Sequence, residues 1–562
     1  MKVHRPLALT LLTAVISGVL GPLSNPASHA QAQVPGGAAA TAPDRIFTNG
    51  KVLTVDRDFS VAEAIAVRGD RVLAVGSSAD MLALAGPETE TTDLDGRTVL
   101  PGLIDNHMHF VRATRDWYRH ARLDGVTSRE SALALIAARA SALPDGEWVL
   151  AIGGWNIAQF GTDYAPFTLA ELDRTAPDRP LYLQEGYSRG FANSEALRAA
   201  GIGAGTSFDG RGTLVRDDAG NPTGELVGGA MSLVTSVMPA VPADVWEASL
   251  RAAVSDMHRM GLTAVYDVGG NGVTAQYYDA VERAAESGNL TMRVFYSLNS
   301  QHGIGSSADE IVAALRTHSP DLSGLRFAQF GWGESTYQPM RAQPWRISRQ
   351  DLEAYEAIAL AAAEHGWQMH EHSMRDEKIR AMLDVFEAVD EVRSIADLRW
   401  TIAHTNGISP ESIARANALG MVFATHSSSR LATPAAIANG ATAPPFRTIH
   451  DSGGTWGLGS DATTVASPNP FHNIGWVVSG LSPAGERILT ETVSREAALT
   501  AHTRSNAWLL FREGDLGSLE AGKLADFVVL DRDYMSVPAD EIKDLRSVMT
   551  VVGGNVVHTE VD

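Results

Sequence analysis

The chain has 562 residues, 44% of them hydrophobic and 20% charged, with a formal net charge of −21 and no cysteine. Such a length exceeds one hydrophobic core, so two or more domains are expected, and the balance is that of a folded protein, neither disordered nor a bundle of membrane spans. The acidity excludes nucleic acid as a natural partner, and the missing cysteines exclude disulfides, thiolate nucleophiles and zinc–thiolate sites.

The N-terminus combines Lys2 and Arg5, an apolar stretch from Leu7 to Leu20, and the small residues around Ser28–Ala32. This reads as a signal peptide over 1–32, directing the protein to a periplasm or the medium. The apolar stretch is shorter than the roughly 20 residues of a membrane span, so no stable membrane anchor is expected. After a Gln/Ala/Gly/Pro linker to about Pro43 come short β runs, Arg45–Val55, Ala64–Val67 and Arg71–Val75, separated by Gly and Asp turns. The same signature returns in Ala525–Asp531 and Val548–Val557. Segments 43–97 and 514–562 are therefore expected to build one small β-sandwich, with 98–513 inserted between them.

Within 98–513, apolar strand-like runs alternate with helical stretches, the pattern of a parallel sheet with crossover helices. The runs are Thr98–Asp105, Leu262–Asp267, Met292–Leu298, Leu325–Phe330, Trp367–His372, Leu398–His404, Met421–Thr425 and Thr455–Gly459. The expected fold is α/β, a (β/α)8 TIM barrel. The interval from about 110 to 259 is too long for one connection and reads as an inserted subdomain.

Ionisable residues gather at the ends of these runs: Asp105-Asn-His107-Met-His109, His370-Glu-His372, Ala403-His404 and Ser460-Asp461. The C-terminal strand ends are where barrel enzymes place their chemistry. Residues i and i+2 of a strand share a face, so His107 and His109 can grip one divalent ion, and imidazoles suit zinc.

Pro101-Gly-Leu-Ile-Asp-Asn-His-Met-His resembles the signature of the amidohydrolase superfamily. The mature chain is similar to its amidohydrolase-3 branch, the YtcJ-like and N-substituted formamide deformylase-like group. Asn193-Ser-Glu-Ala-Leu, Asn221-Pro-Thr-Gly-Glu-Leu, Gly261-Leu-Thr-Ala-Val-Tyr-Asp, Leu458-Gly-Ser-Asp and Gly517-Ser-Leu-Glu-Ala-Gly-Lys support the likeness. It implies that His107, His109, His372 and His404 are metal-site histidines and that Asp461 is the catalytic aspartate, itself a possible ligand. The expected activity is hydrolysis of a non-peptide C–N bond, an amide or N-acyl group of a small molecule, by metal-activated water. A deaminase-like reaction at a ring carbon and a secreted, inactive binding protein are the alternatives.

The chain departs from the family pattern in three places. Many binuclear members bridge two metals with a carboxylated lysine from strand four, but the lysines here are Lys2, Lys51, Lys378, Lys523 and Lys543, and the fourth run leads instead to Glu334. One ion held by His107, His109, His372 and Asp461, with His404 on water or substrate, is the favoured reading, and two ions bridged by Glu334 the alternative. Tyr187 stands where the branch carries a histidine, and Gly228 where it carries a glutamate. His370 is expected behind His372 or deeper in the barrel. Tyr187, Glu334, His426, Trp155 and Trp332 are the substrate-side candidates, with Trp476 a further candidate wall for an apolar pocket.

Overall fold

The computed structural model describes residues 42–161, 163–270, 272–299, 305–341, 347–426 and 433–560. The expected signal peptide and the Ser427–Ser429 run lie outside the described residues. Among those described, no helix is long and apolar enough to cross a membrane.

Eight parallel strands form the central sheet: β1 (Leu103–Met108), β2 (Leu262–Asp267), β3 (Arg293–Leu298), β4 (Phe327–Glu334), β5 (Gln368–Ser373), β6 (Thr401–His404), β7 (Val422–His426) and β8 (Trp456–Gly459). They pair in sequence order, each with the next. The two ends of the sheet meet: the Asp461 N–H donates to the His107 carbonyl at 2.8 Å and the Ser460 N–H to the Asp105 carboxylate at 3.1 Å. This is the TIM-barrel architecture that the alternating runs predict. Ile104, Ala264, Tyr266, Phe295 and Phe330 fill its interior, while helices cover the outside through residues such as Leu250, Met257 and Ile358.

The first predicted strand, Thr98–Asp105, is two strands. Thr98–Pro101 pairs with Lys51–Leu53 and Phe527–Leu530 in a six-stranded sheet, and the barrel strand begins only at Leu103. Gly102 lies at the break, packed so closely that a Cβ there would lie 2.2 Å from Thr263 Oγ1. No other residue allows β1 and β2 to approach so closely.

That six-stranded sheet, which includes Ser547–Val552 and Asn555–Thr559, faces a four-stranded sheet containing Arg45–Thr48, Ala64–Arg68 and Arg71–Gly76. Phe47, Val67, Phe527 and Val551 pack between them, so strands from both ends of the chain share one core. A buried bidentate ion pair ties this unit to the barrel: Arg293 of β3 donates to the two Asp526 oxygens at 2.6 and 2.8 Å.

Between β1 and β2 lies a five-stranded sheet with its own cores, from Val149–Ile152 to Pro222–Gly228. The insertion is narrower than 110–259. Helix Ala243–Arg259 buries Leu250, Ala253, Val254 and Met257, a 3.6-residue stripe, in the same core as β2, and so serves as the crossover helix of the first unit.

Candidate metal centre

The closure of β1 on β8 sets the centre of the site. His107 points inward from β1, and His109 follows at the start of helix Phe110–Thr114, with the two rings 5.8 Å apart. The His109 N–H donates to the Ala462 carbonyl at 2.9 Å, which draws the turn carrying Asp461 against the pair. Asp461 Oδ1 lies 3.2 Å from His109 Nε2 and 3.8 Å from His107 Nε2, and its Oδ2 lies 3.8 Å from His404 Nδ1. His404 and Asp461 both have left-handed backbones, with φ of 70° and 59°. Non-glycine residues hold that conformation at a cost of about 1–3 kcal/mol each, and such strain clusters at functional sites.

Glu334, 5% exposed, occupies the middle of the cluster. Its Oε2 lies 2.9 Å from His372 Nδ1, 3.3 Å from His404 Nε2 and 3.6 Å from His107 Nε2; its Oε1 lies 3.8 Å from His109 Nε2 and 3.2 Å from an Arg341 nitrogen. Among the described residues, the donors fall into groups capable of holding an ion: His107, His109 and Glu334; Glu334, His372 and His404; and His107, His404 and His426. The set expected for one ion, His107, His109, His372 and Asp461, is not gathered into a single group. Glu334, the last residue of β4, is shared by the first two groups instead.

The electrostatics suit a cation. Burial, reinforced by neighbouring histidines, holds the His107 pKa well below the ordinary imidazole value, and burial with the same kind of company brings His370 and His372 down to about 3. Burial pushes Glu334 and Asp461 upward, but the surrounding histidines outweigh it and leave both carboxyls below their usual values. His107, His370 and His372 are thus held neutral beside two ionised carboxylates, the protonation state that metal ligands require. His107 Nε2 is buried and has no hydrogen-bond partner, so it offers a lone pair with nothing else to take it. The residues fit a divalent ion.

Other side chains brace the ligands. His109 Nδ1 lies 2.7 Å from the Gly269 carbonyl, and the next residue must be glycine, since a Cβ on Gly270 (φ 133°) would sit 2.9 Å from that same nitrogen. Lys378, the buried lysine of helix Asp376–Val392, donates to the His372 carbonyl and faces Glu371 at 3.9 Å. Glu371, whose pKa burial pushes up to about 7, also accepts from Tyr355 and Thr336 behind β5. Lys378 is a support for His372 and is not aimed at the metal position.

The remaining sequence candidates divide. His426, a substrate-side candidate in the sequence, ends β7 inside the cluster, 2% exposed and its Nε2 2.7 Å from His404 Nδ1. His370 lies under the centre, its Nε2 2.9 Å from His107 Nδ1. Trp155 and Trp476 line a cavity of about 450 Å³ beside Val465 and Ala466, on the loop that follows Asp461. Trp332 is buried between the barrel and its helices, its Nε1 donating to the Thr336 carbonyl. Tyr187 is 48% exposed in the hairpin turn between Leu181–Glu185 and Arg189–Ala192, and makes no hydrogen bond or ring contact with the site residues. Arg341, which follows β4 and meets Glu334, carries no sequence signal that would have singled it out.

The Amidohydrolase family profile, Amidohydro_3, matches residues 90–558. The chain belongs to the amidohydrolase family. Relatives are similar over nearly the whole length: protein LONG AFTER FAR-RED 3 of Arabidopsis thaliana is 28% identical, with 92% of each chain covered, and the N-substituted formamide deformylase of Arthrobacter pascens is 27% identical, covering 91% of this chain and 97% of its own. Solved structures share the fold. An uncharacterized metal-dependent hydrolase from Pyrococcus furiosus superposes with a TM-score of 0.59 at 20% identity, covering 88% of this chain and all of that one. A mutant of atrazine chlorohydrolase TrzN from Arthrobacter aurescens, complexed with zinc and atraton, superposes with a TM-score of 0.52 at 18% identity, covering 92% and 95%.

Proposed function

We propose that this amidohydrolase cleaves a non-peptide C–N bond, an amide or N-acyl group of a small molecule, at a centre of two divalent ions, with zinc the natural occupant. The observation that carries the reading is the pair of donor groups joined through Glu334 beside Asp461. Two ions fit better than one because the carboxylate meets His372 with one oxygen and turns the other toward His109. His107, His109 and Asp461 would hold one ion and His372 and His404 the other, with Glu334 in the role that a strand-four lysine has in many relatives. Zinc accords with imidazole and carboxylate donors and with the zinc of the TrzN complex.

Divalent ions bound there lower the pKa of a water molecule from about 15.7 toward 7 and polarise a carbonyl oxygen. Asp461 handles the proton. Its Oδ1 is directed to His109, while Oδ2, turned toward His404, takes a proton from the attacking water and returns it to the leaving nitrogen. Its depressed pKa leaves it ionised at neutral pH. The expected export segment at 1–32 would put this reaction in a periplasm or the medium.

The test is a panel of N-formyl, N-acyl, lactam and ester compounds given to metal-free and zinc-reconstituted protein, with products identified as acid plus amine or as ammonia. Zinc-dependent release of an acid and an amine is expected. Ammonia release from ring amines alone, or zinc-dependent cleavage of esters only, would overturn the amide or N-acyl assignment.

A further inference from the structure

A histidine that binds an ion through one ring nitrogen needs its other nitrogen tied down, because that second bond sets the tautomer and the ring angle. His109 does this in the usual way, through the Gly269 carbonyl. His107 and His404 do not. His107 Nδ1 lies 2.9 Å from His370 Nε2, and His404 Nδ1 lies 2.7 Å from His426 Nε2. All four rings are buried.

We propose that His370 and His426 are positioning residues, neutral imidazole acceptors that lock His107 and His404 in the tautomer presenting Nε2 to the ions. The inference rests on the metal-centre reading above. A nitrogen that faces a metal must carry a lone pair, so the single ring proton of His107 or His404 sits on Nδ1 and is donated to the partner's Nε2. Each partner then keeps its own proton on Nδ1. Those two atoms, His370 Nδ1 and His426 Nδ1, are buried and have no hydrogen-bond partner. A buried donor left unmade is costly, and it persists where the other end of the ring is needed. A carboxylate, a common partner at such positions, would add a third negative charge beside Glu334 and Asp461, whereas an imidazole adds none.

The surroundings hold both acceptors in place. His370 is two residues before His372 on β5 and meets the Tyr266 ring edge-on, with centroids 5.4 Å apart. His426 ends β7, its ring 4.4 Å from that of His107 and 4.2 Å from that of His404. His426 could itself be a ligand, since it groups with His107 and His404. In the proposed tautomer His426 Nε2 is already engaged as acceptor of the His404 Nδ1 proton, and the number of zinc ions per chain separates that role from a ligand's.

The test uses the full-length protein and four variants, His370→Phe, His426→Phe, His370→Gln and His426→Gln. Zinc affinity is measured by competition with a fluorescent chelator, and zinc per chain at saturation by elemental analysis. The phenylalanine variants are expected to bind zinc roughly 10- to 100-fold more weakly at unchanged stoichiometry. The glutamine variants, whose side-chain carbonyl can accept the Nδ1 proton, should recover most of that loss. Unchanged affinity in both phenylalanine variants would make the rings bystanders, and loss of one zinc per chain in His426→Phe would make it a ligand; either overturns the proposal. Thermal unfolding of the metal-free proteins identifies a misfolded phenylalanine variant, in which case the glutamine variants are compared with asparagine at the same positions. The wild-type isotherm tests the metal centre separately: a protein that takes up no zinc ends both readings.

Discussion

Replacing Glu334 by Gln keeps the shape of the side chain and removes its charge, at the point where both donor groups meet. The carboxylate is 5% exposed and sits 2.9 Å from His372 Nδ1, 3.3 Å from His404 Nε2 and 3.6 Å from His107 Nε2. Taking one partner out of a buried charge pair costs about 3–5 kcal/mol. At about 1.4 kcal/mol per decade, that is a loss of roughly two to three and a half orders of magnitude in affinity for the more weakly held ion. The ion beside His372 and His404 should be the one to leave, because it has no second carboxylate, whereas His107 and His109 retain Asp461. The assay is elemental analysis after exhaustive dialysis, followed by zinc titration against a chelator. The expected content is two zinc per chain in the wild type and one in Glu334→Gln, with the second regained only at much higher free zinc. A wild type that saturates at one ion, and a variant that keeps it at unchanged affinity, would refute the bridge.

Asp461→Asn should keep at least the ion beside His372 and His404 but lose proton transfer, with kcat falling by about 10²–10⁴ in the zinc-loaded enzyme, measured on the best substrate of the panel. Outside the site, His258 is buried with Nδ1 2.9 Å from the Leu262 carbonyl and Nε2 2.9 Å from the Thr291 hydroxyl, and burial brings its pKa down from 6.5 to about 4. Because the folded pKa is depressed, the unfolded chain takes up the proton first. Stability from this group is therefore intact above pH 6.5, falls as pH drops from 6.5 to 4, and levels off below; the full span is about 3 kcal/mol. Urea unfolding across that window should show a smaller slope in His258→Gln than in the wild type. Finally, Arg293→Met or Asp526→Leu alone leaves a buried charge unpaired between barrel and sandwich and should destabilise by about 3–5 kcal/mol, whereas the double variant should recover a large part of it. Denaturation of the three proteins tests this, and an additive double variant would contradict it.

Much of the architecture was legible locally. The alternating runs mark the barrel strands because an apolar strand buried on both faces needs neighbours on both sides. The β signatures at 43–97 and 514–562 mark a shared sandwich because neither half could bury its own face. The strand boundary at Gly102 was not legible, since a continuous apolar run hides the change of sheet at a glycine packed against Thr263. Tyr187 and Trp332 illustrate the same limit: an aromatic near a strand end reads alike whether it faces solvent, core or pocket.

At the site, residue types and local spacing belong to the sequence. His107 and His109 at i and i+2, His372, His404 and Asp461 at strand ends, and the missing bridge lysine all follow from the chain alone. Which donors share an ion does not, because that depends on distances between strands far apart in sequence, and one residue of register decides whether a side chain enters the barrel or leaves it. Only the closed sheet brings Glu334 within reach of four histidines, draws His370 and His426 behind His107 and His404, and sets Lys378 as a brace outside β5.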